Sequence, residues 1–133
     1  MTTQIFVNLA VKDLDKSKVF FAHLGYTFNP QFTDENAACL IISDNIYAML
    51  LTEPFFKNFT KKEIANAHKS TEVLVCLSCE NRGQVDDIVR KAIEAGGKIL
   101  AAPQDHGFMY SHGFEDLDGH QWEYMFMESS YVQ

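Results

Sequence analysis

Residues 4–28 and 72–99 carry one pattern twice. Each opens on about eight residues rich in Val, Leu and Ile, the signature of a strand. Each then meets a helix start, at Asp13 or Asn81, runs through an amphipathic stretch, and stops at Gly25 or Gly96. Val7 and Leu9 align with Val75 and Leu77 at an offset of 68, whereas Gly25 aligns with Gly96 at 71. The second helix should therefore be three residues longer (71 − 68). Its apolar positions Val85, Ile88, Val89, Ala92 and Ile93 follow the helical period, and Leu14, Phe20, Phe21 and Leu24 do so in the first. An internal repeat of half the chain length points to two similar modules sharing the sequence between them.

Three strand candidates follow each helix. They are Tyr26–Gln31, Ala37–Ser43 and Ile46–Leu51 in the first half, with a turn at Asp44-Asn45. In the second half they are Lys98–Ala101, Phe108–Glu115 and Gln121–Met127, with Asp118-Gly119 as a two-residue hairpin turn. The expected fold class is α+β, built from two βαβββ modules at about 1–53 and 71–133 in one domain spanning 1–133. The connector, 54–70, carries Thr60-Lys-Lys-Glu63, a capping box that predicts a short helix to about Ala67. It reads either as a surface connector or as a lid or dimer arm. Its Phe55, Phe56 and Phe59 must pack against something.

Composition narrows the function classes. Eleven Lys+Arg against 18 Asp+Glu give a net charge of −7, and no basic patch interrupts it, so nucleic acid is not an expected partner. No apolar run approaches the roughly 20 residues of a membrane span, and the start Met-Thr-Thr-Gln lacks the basic region of a signal peptide. Three cysteines, Cys39, Cys76 and Cys79, are too few for a disulfide scaffold. A cytoplasmic location is the expectation. Cys76 and Cys79 sit three apart on a strand, where their sulfurs diverge, so they do not read as a redox or zinc pair. His23, His68, His106 and His120 read as ordinary helix, edge or turn residues.

The passage Val11-Lys-Asp-Leu-Asp-Lys-Ser-Lys-Val-Phe-Phe21 and the hairpin Phe114-Glu-Asp-Leu-Asp-Gly-His-Gln-Trp-Glu123 resemble the vicinal oxygen chelate superfamily, which includes glyoxalase I, bleomycin resistance proteins and extradiol dioxygenases. The nearest likeness is to bacterial proteins labelled predicted lactoylglutathione lyases. The resemblance spans the chain. It implies that the two modules form a cupped mixed sheet holding the site, and that the protein is a homodimer. It also assigns metal ligands to the first and last strand of each module. Those positions hold Phe6, Met49 or Leu50, Leu74 and Glu123, three of them apolar. One carboxylate cannot hold a divalent ion, so no glyoxalase-type metal and no other cofactor are expected. A misaligned site using His112 with Glu123 is the disfavoured alternative.

Strand alternation selects the cup-facing side chains. Phe6 and Asn8 face it from the first strand, and Leu74 and Cys76 from its counterpart. Pairing Leu117 with His120 across the expected turn puts Tyr110, His112, Phe114, Glu123 and Met125 on one face. The expected site is therefore Glu123 and His112 as catalytic residues, with Phe6, Asn8, Met49, Leu74, Cys76, Tyr110 and Met125 contacting a small-molecule ligand. Two functions suit it. One is a binder of a small apolar or aromatic molecule. The other is a lyase or isomerase with Glu123 as general base.

Overall fold

The computed structural model describes residues 2–128. The chain forms two compact units, Met1–Ala65 and Asn66–Gln133. In the first, strand β1 (Ile5–Val11) leads to helix α1 (Leu14–His23), then β2 (Thr27–Phe28), β3 (Ala37–Ser43), β4 (Ile46–Thr52) and a single-turn helix α2 (Glu53–Phe56). In the second, β5 (Leu74–Ser78) leads to α3 (Arg82–Glu94), β6 (Gln104–Asp105), β7 (Met109–Glu115) and β8 (Gln121–Met127). Each unit makes a four-stranded mixed sheet, ordered β1-β4-β3-β2 and β5-β8-β7-β6. The first strand pairs parallel with the last in both, and the remaining pairs are antiparallel. This is the α+β, doubled βαβββ arrangement. No helix among the described residues is long and apolar enough to cross a membrane.

The helix ends form as the local chemistry dictates. Asp13 accepts a hydrogen bond from the Lys16 backbone N–H at 3.1 Å, and Asn81 from that of Gln84 at 2.8 Å. Gly25 and Gly96 take φ of +103° and +108°, and α3 has 13 residues against 10 in α1. Each helix packs on one face of its own sheet. Leu14, Phe20 and Phe21 bury against a sheet whose Leu9, Val11, Leu40, Ala48 and Leu50 are also buried. Val85, Val89 and Ala92 of α3 do the same over Trp122, Tyr124 and Phe114. Complete burial of a side chain such as Phe114 contributes roughly 1.5–3 kcal/mol.

Three short segments depart from the sequence expectation. Tyr26–Gln31 narrows to β2 followed by a 3₁₀ turn, Pro30–Phe32, because Asn29 caps it by accepting from Gln31 N–H at 3.0 Å and Pro30 fits its first position. Lys98–Ala101 pairs only through the bridge Lys98–Glu115, and the edge strand is instead the two-residue β6, directly after Pro103. Ile99 and Leu100 are half exposed, so no burial holds them in a sheet. No helix follows Thr60. Its hydroxyl accepts from Lys62 N–H at 3.1 Å, a local turn rather than a cap, and the helix lies earlier, at Glu53–Phe56.

The β7–β8 turn is also one residue longer than expected. Asp116 N–H donates to the His120 carbonyl at 2.9 Å, and Glu115 pairs with Gln121. Gly119 takes φ of +92°, while among the described residues no non-glycine residue has positive φ. A two-residue type I′ turn would need Asp118 at positive φ as well, so the loop is the three-residue kind with glycine at its last position. The Asp116 carboxylate, nearly buried, accepts from Asp118 N–H at 2.9 Å, His120 N–H at 3.0 Å and Trp122 Nε1–H at 2.9 Å. Burial pushes the Asp116 carboxyl above the ordinary carboxylate range, opposed by the charge of His120 and by these donors. Gly119 has a second duty: a Cβ there would stand 2.6 Å from the His68 backbone nitrogen.

Removing this hub should be costly. Asp116→Ala removes the acceptor shared by three donors and is expected to lower unfolding free energy by about 2–3 kcal/mol. Asp15→Ala, with its side chain 94% exposed, should stay within about 0.5 kcal/mol of the parent. Urea unfolding followed by Trp122 fluorescence measures both, and equal midpoints would contradict the role given to Asp116.

Candidate functional site

The longer turn decides which residues meet. In the observed register Gly113 lies opposite Glu123, Ser111 opposite Met125 and His112 opposite Tyr124. Cys76 lies beside Glu123 on its other flank. One face of the second sheet therefore carries Leu74, Cys76, Ser111, Gly113, Glu123 and Met125, while Tyr110, His112 and Phe114 belong to the face that carries Trp122 and Tyr124. The expected placement of Tyr110 and His112 with Glu123 is thus corrected, since a one-residue slip exchanges the faces. Tyr110 instead donates its hydroxyl to Asp86 on α3 at 2.5 Å. His112 Nε2 lies 3.1 Å from the Ala101 carbonyl, at the rim of the site.

A cavity of about 320 Å³ opens over the Glu123 face, and all its lining residues belong to the second unit. Cys76, Glu123, Ser111, Gly113 and Met125 form its floor, and Leu100, Ala101, Ala102, Gln104 and Met109 are among the surrounding residues. Gly113 leaves the space in which Glu123 lies. A Cβ on it would collide with the Trp122 carbonyl and stand 3.2 Å from Glu123 Cγ. Glu123 is half-buried. Among the described residues, no side chain donates a hydrogen bond to its carboxylate or forms an ion pair with it. Desolvation, then the Glu123 charge, push the Cys76 thiol up.

A surface clasp holds the outer wall. Arg82 on α3 grips Asp105 with two nitrogens at 2.7 and 3.0 Å, donates to the Gly107 carbonyl at 3.0 Å, and lies 5.1 Å from the Tyr110 ring centroid. The Arg82 hydrogen bonds bring the Asp105 carboxyl down to about 2, so the clasp is ionised at neutral pH. Gln104, beside Asp105, is thereby fixed at the cavity.

In the first unit, Phe6, Asn8 and Met49 share a face as expected: Asn8 pairs with Met49, and Phe6 with Tyr47. The Phe6 and Tyr47 rings stack at 4.9 Å. Leu50 points to the helix side and is fully buried. Asn8, Met49 and Cys39 occupy in the first sheet the register positions of Cys76, Glu123 and Gly113 in the second. Met49 is therefore the counterpart of Glu123. Gly113, Ser111 and Gln104 escaped the sequence reading; the signal was Asp116, an acceptor suited to opening a type I turn.

Two modules of this topology with a cavity on the open face define a glyoxalase/bleomycin resistance-like protein. The family model described as Bleomycin resistance protein-like N-terminal matches residues 3–43. No curated protein matches the chain. Among solved structures, the hypothetical protein SA1046 from S. aureus is 30% identical, with 95% of each chain covered and a TM-score of 0.79. A glyoxalase/bleomycin resistance protein/dioxygenase family enzyme from Burkholderia phytofirmans PsJN shares the fold at 14% identity, with 95% of this chain and 99% of that one covered and a TM-score of 0.79. A glyoxalase-related enzyme from Fulvimarina pelagi does so at 16% identity, with 95% and 88% covered and a TM-score of 0.79. The matched family model and the shared fold support the vicinal oxygen chelate superfamily.

The metal that the superfamily implies does not fit these residues. Phe6, Met49 and Leu74 offer no donor suited to a divalent ion, and Glu123 is flanked by Cys76 and Gly113. Among the described residues no group of three or more His, Cys, Asp or Glu side chains is placed to hold an ion.

The Cys76–Glu123 contact has a measurable consequence. Glu123→Gln removes one cause of the raised thiol pKa, so the pH–rate curve for Cys76 alkylation should move to lower pH. At pH 8 the reaction should therefore speed up. Iodoacetamide labelling in a Cys79→Ser background, resolved by peptide mass, reads this; an unmoved curve would place Glu123 away from the thiol.

Proposed function

We propose that the second unit binds a small, largely apolar or aromatic molecule in the cavity over β5, β7 and β8, without a glyoxalase-type metal. The observation that carries this reading is the cavity itself. About 320 Å³ is within the range of small-molecule sites. Its surroundings are of the mixed kind such sites use: Met109, Met125, Leu100 and Ala102 for bulk, and Ser111, Gln104 and Glu123 as polar anchors. Soft Met side chains adapt to a ligand's shape and make favourable sulfur–aromatic contacts.

One observation favours a second reading, a lyase or isomerase. The Glu123 carboxylate is half-buried and unpaired, which suits a general base acting next to a carbonyl. His112 does not support it, because its imidazole is held by Ala101 on the other face.

Filling the cavity separates binding from fold. Ser111→Trp projects a large ring onto the open face and should weaken binding of aromatic probes at least tenfold, with little change in thermal midpoint. Probe titration followed by NMR of the Met109 and Met125 methyls tests this, and unchanged affinity would move the site elsewhere. For the second reading, Glu123-dependent exchange of a carbonyl compound's α-proton with deuterated solvent is the expected signal. Exchange that persists in Glu123→Gln would remove Glu123 from that role.

A further inference from the structure

We infer that the cavity of the second unit selects a small organic cation, an apolar or aromatic body bearing a protonated amine. This rests on the binding function proposed above and names its ligand class. The lining contains one carboxylate, Glu123, no Lys or Arg, and one imidazole, His112, whose Nε2 is engaged by the Ala101 carbonyl at 3.1 Å. The basic side chains of α3 are spent elsewhere: Arg82 on Asp105, and Arg90 and Lys91 on Asp87. Among the described residues, nothing within the protein neutralises Glu123.

The consequence follows from desolvation. A ligand filling the cavity strips water from the carboxylate. A neutral ligand leaves that charge uncompensated, and an anionic one adds repulsion. An ammonium group placed at Glu123 restores the lost solvation with a charge-assisted hydrogen bond. Gln104 and Ser111 add neutral acceptors, while Met109 and Met125 offer sulfur to an aromatic body. The net charge of −7 acts in the same direction at long range.

Three probes of matched size test the inference at pH 7 on the full chain: 2-phenylethylamine, 2-phenylethanol and 3-phenylpropanoate. Shifts of the Met109 and Met125 methyl resonances report occupancy. The amine should bind at least tenfold more tightly than the alcohol, and the carboxylate should not saturate. Glu123→Gln should erase the preference for the amine. In the parent protein, raising salt should weaken the amine and not the alcohol, a readout that does not depend on a variant folding. Equal affinity for amine and alcohol, or an amine preference that survives Glu123→Gln, overturns the charge selection and leaves the binding reading standing. Failure of all three probes to shift the methyls overturns both.

Discussion

The hydrogen bonds that Asp116 accepts inside the β7–β8 turn set the register on which the second unit depends. The carboxylate collects two backbone N–H groups of its own loop and the indole N–H of Trp122, tying the turn to the largest buried side chain. A turn shorter by one residue would pair Phe114 with Glu123 and His112 with Met125. The Phe114 ring would then lie on the open face and occupy the cavity, while Gly113 and Ser111 faced α3 and left voids beneath Val85 and Val89. Cavity and core are thus two results of one register, and the side chain fixing it lies outside both.

That dependence explains what could be read from sequence. The modules, helix ends and both helix stripes were legible because each rests on local period and capping, which the residues carry themselves. The open-face positions of β1 and β5 were legible for the same reason, since alternation along a single strand needs no partner. The last hairpin was not. Asp118-Gly119 suits a two-residue turn and a three-residue one alike, and the choice rests on where Asp116 finds its donors, six residues away at Trp122. The Lys98–Asp105 stretch and the connector failed similarly. Pro103 and the Arg82 clasp place one, and the close approach of Ala67 and His68 to Gly119 places the other.

The two units show how one pattern supports different chemistry. On the open face of the first sheet, Ala10, Cys39 and Leu51 are buried, and α2 and the Pro30–Phe32 turn pack against the strands that carry them. The second sheet lacks such closure, and its cavity remains. Asn8, Cys39 and Met49 hold in the first sheet the register positions that Cys76, Gly113 and Glu123 hold in the second, so a thioether in one sheet corresponds to a carboxylate in the other.

Nothing on the open face of the second sheet holds the fold together. The buried side chains that do so, Trp122, Tyr124, Phe114, Val85 and Val89, lie between sheet and helix, and none of Cys76, Ser111, Glu123 or Met125 is among them. Strand alternation separates the two sets at every residue, so a substitution on one face leaves the other's packing untouched. A TM-score of 0.79 at 14% identity is compatible with that division, because the helix-side pattern suffices to specify the fold. The open-face positions can then lose metal donors without loss of stability. What they retain here is a single carboxylate, and its chemistry is governed by whatever supplies the missing positive charge.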